Sequence, residues 1–359
     1  MKKKIFNPVL NMNLEKEAIV TLIPYKYTIK IIVKSQNFNF SYECEETDID
    51  KEYTLNLLSF QKALNEVSGK INFKIYIGKV IDENGQDLTV LEETEEQNFL
   101  IKFEEKELFI KTALIQNLSR HQNVRMKLAL YPALGDLVIA NTKNGVAFNS
   151  SDGMSVLQTR IDCEFKLQYS YLCPFELMKN TNLKKLKITK ADENSKIIFR
   201  EEGNYLYIKN IIDNSKNYYK NIRWAVKLTK TDAILENFDN YNFNKECSFK
   251  IDENVDYKKI GKFVTQKNKA IGGTGKKYNV SYKVADGYLL DGENKIMKLS
   301  SDIPDIEIIN GYDFMAIFND NYEFDYYKSN KGFFAIESNK QRLIMKLINK
   351  THDFVGFIY

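Results

Sequence analysis

Apolar and polar residues alternate with a period of two along much of the chain. In Ile71–Ile77 the apolar residues occupy the odd positions, and Asn72, Lys74 and Tyr76 stand between them. Such alternation predicts a β-strand with one buried face. The same pattern recurs in Phe99–Phe103, Leu186–Thr189, Ile197–Arg200, Tyr205–Lys209, Tyr278–Val284, Tyr322–Tyr327, Phe333–Glu337 and Arg342–Leu347. The chain is therefore expected to form antiparallel sheets that are wetted on one side.

A few segments show the helical spacing i, i+3, i+4 instead. The first follows Ser59, a candidate N-cap, and includes Phe60 and Leu64. The other helices are expected at Ile110–Gln122, directly after Pro174, around Ile260–Val264 and around Phe314–Phe318. Each helix thus interrupts a chain that is mostly composed of strands.

A helix that precedes a run of strands recurs near residues 60, 175 and 314. One third of the 359 residues is about 120, which is close to the usual size of a domain. We therefore predict an α+β fold of three repeated domains, each with antiparallel sheets and helices on one face. The predicted domains cover residues 1–105, 106–242 and 243–359.

Composition excludes several classes of protein. Hydrophobic residues make up 43% and charged residues 28%, enough for ordinary cores, and no stretch reaches the ~18 apolar residues of a membrane span. The start of the chain lacks the apolar segment of a secretory signal, so a soluble, cytoplasmic protein is expected. The 4 cysteines have no C-x-x-C spacing, and the 2 histidines leave little basis for a metal site, a cofactor or histidine-dependent catalysis.

Two local motifs resemble a phosphate-binding loop and a carboxylate site, but their residues do not fit either. Gly272–Lys277 resembles a phosphate-binding loop, but Ala270 stands where the first glycine belongs and Lys277 where the magnesium-binding hydroxyl belongs. The carboxylate run Glu92–Glu96 lies in a polar loop without a neighbouring ligand or base. A flexible basic turn and a solvated surface explain them better.

Basic residues exceed acidic ones only slightly, 52 against 48, for a net charge of +4. This balance is mild for a nucleic-acid-binding protein, although it permits a local basic stripe. Basic residues surround the fourth helix and flank the second. They are Lys258, Lys259, Lys262, Lys267 and Lys269, with Lys111, Arg120 and Lys127. They form either solvated faces or, if these helices line one surface, a surface that neutralises DNA phosphates without reading bases.

The segment His121–Arg125, followed by Leu128, resembles the His-Gln-Asp-Val-Arg…Leu segment of the middle domain in bacterial DNA polymerase sliding clamps. Further matches to that family follow in the right order. Ser150–Gly153 resembles the family's Ala-Thr-Asp-Gly, and Tyr171–Pro174 resembles the Val-Pro entry to its next helix. Ile211–Asn214, with Tyr219 and Ile222, is similar to its Leu-Val-Asp-Gly…Tyr-Arg-Arg-Val strand. Leu343–Leu347 resembles its terminal Val-Val-Met-Pro-Met strand. Met154-Ser155-Val156 depart from its His-Arg-Leu, and this divergence suggests a phage or mobile-element clamp.

This resemblance implies a ring without enzymatic activity. Two subunits of three domains would close head to tail around duplex DNA and tether a polymerase, with a clamp loader as a further partner. The implied location is the nucleoid or a replication site, including that of an infected host. The rival hypothesis is a phage-encoded, β-rich binding or structural protein that does not encircle DNA.

The resemblance also implies a pocket for a short Gln-Leu-x-Leu-Phe-like peptide of the partner proteins. Mapped residue by residue, its lining would be Leu128, Ser151, Gly153, Val156, Trp224, Met345 and Leu347. The alternative is that these residues belong to the ordinary core. The apolar tail after Asn349, with Phe354, Phe357 and Ile358, is expected either to cover this pocket as a lid or to add an edge strand.

Overall fold

The chain folds into two compact units, each of which draws on two stretches of sequence. Unit 1 combines Met1–Gln116 with Glu176–Lys230, and unit 2 combines Asn117–Phe175 with Thr231–Tyr359. The computed structural model describes residues 1–45, 48–67, 72–95, 108–111, 118–125, 131–180, 196–212, 218–232, 241–270, 281–318, 321–338 and 341–346. The predicted boundaries after residues 105 and 242 stay predictions.

Unit 1 is built on a large antiparallel sheet. Its strands are β1 (Ile19–Pro24), β2 (Thr28–Lys34), β3 (Phe38–Glu45), β4 (Tyr53–Asn56), β5 (Phe73–Tyr76), β6 (Lys79–Asp82), β7 (Asp87–Val90), β8 (Leu108–Lys111), β13 (Lys196–Glu202), β14 (Tyr205–Ile212) and β15 (Lys220–Lys230). The large sheet has the order β8-β13-β14-β15-β3-β2-β1-β4, and β5-β6-β7 form a separate sheet. Helices α1 (Asn7–Leu10) and α2 (Leu57–Glu66) lie near its core, where Phe6 packs edge-on against Phe60.

Unit 2 repeats this plan. Its strands are β9 (Leu137–Thr142), β10 (Gly145–Ser151), β11 (Ser155–Asp162), β12 (Tyr171–Cys173), β16 (Phe243–Lys250), β17 (Ser281–Ala285), β18 (Tyr288–Asp291), β19 (Asn294–Lys298), β20 (Ile306–Asn310), β21 (Glu323–Ser329), β22 (Phe333–Ser338) and β23 (Gln341–Lys346). The large sheet has the order β16-β21-β22-β23-β11-β10-β9-β12, beside the 4-stranded sheet β19-β18-β17-β20. Its helices are α3 (Pro132–Gly135), α5 (Tyr257–Ala270) and α6 (Gly311–Phe318), and α4 (Phe175–Lys179) spans the change of unit.

The α+β prediction is confirmed: the described strands of both large sheets pair antiparallel, and helices are few. In β2 and β3, buried and half-buried residues alternate without interruption from Thr28 to Lys34 and from Phe38 to Cys44. One face of each strand is therefore apolar and the other is wetted, as the alternation in the sequence indicates. The strands expected at Phe99–Phe103 and Leu186–Thr189 lie outside the described residues.

Two helix predictions need correction. The helix expected over Ile110–Gln122 does not begin at Ile110, because Leu108–Lys111 is a strand in which Ile110 pairs with Ile197. Residues Ser119–Asn123 form a 3-10 turn. The N-cap of α2 is Asn56 rather than Ser59: the Asn56 side chain accepts the backbone N–H of Ser59 at 3.1 Å.

Candidate functional site

Helix α5 presents a lysine-rich surface to solvent because its buried apolar residues lie on the opposite face, toward the core of unit 2. Tyr257, Ile260 and Val264 are buried at the spacing of one helical face. Of the predicted DNA-binding residues, Lys258, Lys259 and Lys262 are exposed and Lys267 is half-buried. The side chain of Lys269 lies outside the described residues.

A groove of about 580 Å³ runs between α5 and the edge strand β19. We call it the lysine groove. It is rimmed by Lys259, Lys262, Lys267 and Lys295, and its floor is formed by Ile260, Phe263, Ile296 and Met297. Lys267 is already engaged there, since its Nζ lies 2.5 Å from Oδ2 of Asp291.

The structure thus separates the lysines of α5 into two groups. Lys258 does not line the groove, whereas Lys259, Lys262 and Lys267 do. Residues 258 and 262 are one helical turn apart, so the groups adjoin along the helix surface. Sequence reasoning missed the groove because its other wall, Asp291–Met297, carries no helical periodicity.

The remaining predicted DNA-binding residues do not share an element with α5. Lys111 ends strand β8 in unit 1. Arg120 lies in the 3-10 turn of unit 2, where its Nη1 donates to Oε1 of Gln341 at 3.1 Å. Lys127 lies outside the described residues. Arg120 therefore has a structural role in unit 2, and a role in DNA binding would be additional to it.

The His121–Arg125 motif is structural in this fold. His121 is fully buried, with Nδ1 2.7 Å from Oγ of Ser150 and Nε2 2.8 Å from Oγ1 of Thr159. Burial lowers the pKa of His121 from 6.5 to about 3, so the ring is neutral at physiological pH. The Arg125 guanidinium lies 4.0 Å above the ring of Phe175.

The Ser150–Gly153 motif forms a tight turn that fixes the start of β11. Oδ1 of Asp152 accepts the backbone N–H groups of Met154 at 3.1 Å and Ser155 at 2.9 Å. Gly153 has a φ of 87°, a conformation that glycine adopts without strain. The hydroxyl of Ser155 donates to the buried carboxylate of Asp313 on α6. The turn is therefore anchored to the core of unit 2.

Four residues of the predicted peptide pocket, Ser151, Gly153, Val156 and Met345, lie at or near this turn but do not all face the same way. Ser151 pairs with Val156 across β10 and β11, and Ser155 pairs with Met345 across β11 and β23. Because neighbouring residues of a strand point to opposite faces, Val156 and Met345 lie on opposite sides of the sheet. Both are nearly fully buried, at 0% and 3% exposure.

Val156 belongs to a small aromatic cluster that the sequence did not reveal. We call it the aromatic cluster: its core is Val156, Tyr241, Phe333, Ala335 and Ile344, with Phe243 and Tyr327 packed against it. The rings of Tyr241 and Phe333 meet edge-on at 5.0 Å, and Nζ of Lys331 lies 4.3 Å from the Tyr241 ring. Met345 instead packs in the larger core that contains Phe314 of α6.

Of the other predicted pocket residues, Trp224 alone is among those that the structure describes. Trp224 lies in β15 of unit 1, paired with Phe40 and 2% exposed. Leu128, Leu347 and the tail with Phe354, Phe357 and Ile358 lie outside the described residues, as does the Gly272–Lys277 motif.

In the part of the chain that the structure describes, neither a cluster of metal-ligating side chains nor a long apolar helix is found. There, no three histidine, cysteine, aspartate or glutamate side chains gather so that they could hold a metal ion. No helix among those residues is long and apolar enough to cross a membrane. The cysteines are free, and burial raises the pKa of the Cys173 thiol.

Comparison with known proteins identifies the fold. No protein-family model matches the sequence, and no curated protein matches it either. Among solved structures, the chain is similar to the Helicobacter pylori beta clamp bound to a DNA ligase peptide, with a TM-score of 0.60 and 12% identity over 96% of this chain and 97% of that one. A putative DNA polymerase III beta subunit from Eubacterium rectale gives 0.56 and 10% over 96% and 97%. The Pseudomonas aeruginosa DNA polymerase sliding clamp gives 0.54 and 8% over 97% and 98%.

The chain therefore has the fold of the bacterial DNA polymerase sliding clamps, and the resemblance in its motifs is confirmed as a divergent one. At such low identity the likeness establishes the fold, and function must be inferred from the chain's own residues.

Proposed function

We propose that this protein is a DNA sliding clamp: two copies close head to tail around duplex DNA and tether a polymerase. The observation that carries the proposal is the lysine-rich α5 on a chain that matches sliding clamps over 96% of its length. Helix α5 buries only its apolar face and turns Lys258, Lys259 and Lys262 to solvent. The fold is compatible with a ring, and the lysines of this helix would attract the phosphates of the DNA.

A sliding clamp needs only weak contacts with DNA that do not depend on sequence, and the exposed lysines of α5 can make such contacts. A closed ring is linked to DNA topologically, so its contacts need only be weak and independent of sequence. Lysine ammonium groups attract phosphates through water and release counterions, which permits sliding. Tethering a polymerase raises its effective concentration at the primer end, and no bond is made or broken.

Ring closure requires two different surfaces that complement each other, since a head-to-tail contact is heterologous. We assign one to the lysine groove with edge strand β19, and the other to edge strand β7 with the acidic segment that follows it. Among the described strands, β7 and β19 each pair on one side only. Val90 of β7 is 70% exposed, and Glu92 and Glu95 are exposed beside it. The apolar residues would cover the groove floor, and the glutamates would face its lysines.

The experiment that tests the clamp proposal is retention on nicked circular DNA. Lys258→Glu is expected to shorten the lifetime of the loaded protein severalfold and to make the salt dependence of log K shallower by about 0.9. Lys258 does not line the lysine groove, so the variant should keep its oligomeric state. Lys328→Glu, the same charge change at an exposed site on β21, is the matched control. Equal retention of both variants would remove Lys258 from the DNA-facing surface.

We further propose that partner peptides with apolar anchors dock at the aromatic cluster beside the Ser150–Gly153 turn. The similar H. pylori clamp was solved with a DNA ligase peptide. Val156 brings one of the predicted pocket residues to this cluster. Its buried rings, Tyr241 and Phe333, support the partly exposed Phe243 and Tyr327, and aromatic residues of this kind are favoured at binding hot spots.

Tyr241→Ala is expected to weaken binding of a Gln-Leu-x-Leu-Phe peptide at least tenfold, measured by fluorescence anisotropy, because it removes the ring that packs edge-on against Phe333 at the centre of the cluster. Tyr205→Ala is the control, since that tyrosine also has a lysine Nζ over its ring, at 4.1 Å, but lies in unit 1. Met345→Ala tests the other face of β23. Loss of binding with Met345→Ala alone, in a folded protein, would move the pocket to that face.

A further inference from the structure

The solvent-facing side of the large sheet in unit 1 carries an unusual row of residues. Cross-strand pairing sets Lys34 beside Asn39, Asn39 beside Ala225, and Ala225 beside Lys209, across strands β2, β3, β15 and β14. In the next row, Ser41 pairs with Arg223. The side chain at the centre is a single methyl group, so the longer residues around Ala225 enclose a depression.

This depression is a groove of about 180 Å³, which we call the basic groove. Its walls include the cations of Lys34, Lys209 and Arg223, with Asn39 and Ser41 between them. Arg223 is exposed, and among the described residues it has no ion-pair partner. Ammonium, guanidinium, amide and hydroxyl donors converging on one small cavity suit the oxygens of a phosphate group.

Two aromatic rings lie on the same face of the sheet, further along strand β14. Tyr205 and Tyr207 precede Lys209 by four and two residues, so all three point to the same face. Tyr205 is 39% exposed. Nζ of Lys227 lies 4.1 Å from the centroid of the Tyr205 ring, and the Arg200 guanidinium carbon lies 4.7 Å from that of Tyr207. Rings flanked by cations beside a phosphate-sized groove are the arrangement that binds single strands.

We propose that the basic groove and the two tyrosines bind single-stranded nucleic acid, with a backbone phosphate between Lys34, Lys209 and Arg223 and bases on Tyr205 and Tyr207. Stacking on a tyrosine requires bases that are not paired in a duplex. The site belongs to unit 1 and does not involve α5, so it is independent of the clamp proposal.

The first test is binding of fluorescent oligo(dT) by anisotropy. Lys209→Ala combined with Arg223→Ala is expected to weaken binding at least tenfold and to make the salt dependence of log K shallower by about 1.4, as expected for two lost phosphate contacts. The control, Lys30→Ala with Lys74→Ala, removes the same charge from unit 1 outside the groove and should change affinity less than twofold. Equal weakening by both pairs would overturn the proposal.

The second test leaves the net charge unchanged. Ala225→Val fills the groove with a residue that suits a β-strand, and it should weaken oligo(dT) binding to a similar extent while the melting temperature stays near that of the parent. Unchanged binding would mean diffuse attraction and would overturn the assigned groove. If polyglutamate binds as well as oligo(dT) and responds to the same substitutions, the surface is a docking site for acidic protein instead.

These outcomes are separable from those of the clamp proposal. The variants of the basic groove should retain the parent's mass and its retention on nicked circular DNA. If Lys258→Glu abolishes oligo(dT) binding while the groove variants do not, the oligonucleotide binds at α5 and the inference is overturned. If the parent shows no retention on circles but the groove variants behave as expected, the clamp proposal fails and the groove stands.

Discussion

Replacing Ile296 with lysine is expected to convert the proposed dimer into a monomer and to abolish the proposed retention on circular DNA. Ile296 lies on edge strand β19, half-buried in the floor of the lysine groove. A lysine there adds a cation beside Lys262 and Lys295 and removes the apolar surface that a second copy would cover. Juxtaposed like charges in an interface cost several kcal/mol.

Size-exclusion chromatography with light scattering measures this change directly. The parent should have about twice the mass of 41.9 kDa at micromolar concentration, and Ile296→Lys should have the mass of one chain. Ile23→Lys is the matched control, because Ile23 is a half-buried isoleucine on β1, which belongs to a different sheet from β7 and from β19. A monomeric parent would contradict ring closure itself, whereas a dimeric Ile296→Lys variant would contradict only the assigned surface.

Charge exchange provides a stricter test of which surfaces meet. Lys295→Glu with Lys298→Glu should weaken the dimer, and adding Glu92→Lys with Glu95→Lys in the same chain should restore it. Restoration requires that the two pairs face each other across the interface. If the fourfold variant remains as weak as the first, β7 and the lysine groove do not meet.

The sequence predicted best those features that depend on local periodicity. Alternation located strands such as Phe333–Ser338 within about one residue, and the spacing of Ile260 and Val264 located α5. It failed at the start of the helix expected over Ile110–Gln122, because the pairing of Ile110 with Ile197 stabilises a strand there. Pairing across residues that are far apart in the chain is invisible to a local pattern.

The candidate sites were harder to predict for the same reason. The lysines of α5 could be found because a helix displays its own period, but the groove beside them needs Ile296 and Met297 from a distant hairpin. The basic groove arises from Ala225, Lys34 and Lys209, which only the sheet register brings together. Residue-by-residue mapping from the family could not show that Val156 and Met345 face opposite sides of the sheet. A shift of one residue in strand register moves every side chain of that strand to the other face.

His121 is expected to make the stability of this protein depend on pH. In the folded state burial holds the pKa of His121 near 3, against an ordinary value of 6.5 in the unfolded chain. Between those values the unfolded state binds one proton more than the folded state at this residue. The free energy of unfolding therefore rises with pH through this window and falls as the pH drops below 6.5.

The expected size of this effect is large for a single residue. Lowering the pH from 7 to 5 should cost about 2 kcal/mol of unfolding free energy, because the imidazole of the unfolded chain becomes almost fully protonated over that range and the buried one does not. Urea titrations at pH 7, 6 and 5 measure it, over a range in which ordinary carboxylates remain mostly ionised. His121→Gln should flatten this dependence, because glutamine keeps polar atoms near Ser150 and Thr159 but does not titrate. His352→Gln, at the second of the 2 histidines in the chain, should leave the dependence as it is in the parent.

Replacing His121 with alanine should lower the free energy of unfolding more than replacing it with glutamine. His121→Ala leaves the buried hydroxyl of Ser150 without the ring that lies 2.7 Å from it, and it opens a cavity beneath β10 and β11. Thr159 also loses the ring but still accepts the Gln341 amide at 3.0 Å. One unpaired hydroxyl costs about 1–3 kcal/mol and the cavity adds to it, so a loss of about 3–5 kcal/mol at pH 7 is expected. His121→Gln should lose less than half of that. If alanine and glutamine destabilise the protein equally, the ring acts by filling space, and its hydrogen bonds to the two strands contribute nothing measurable.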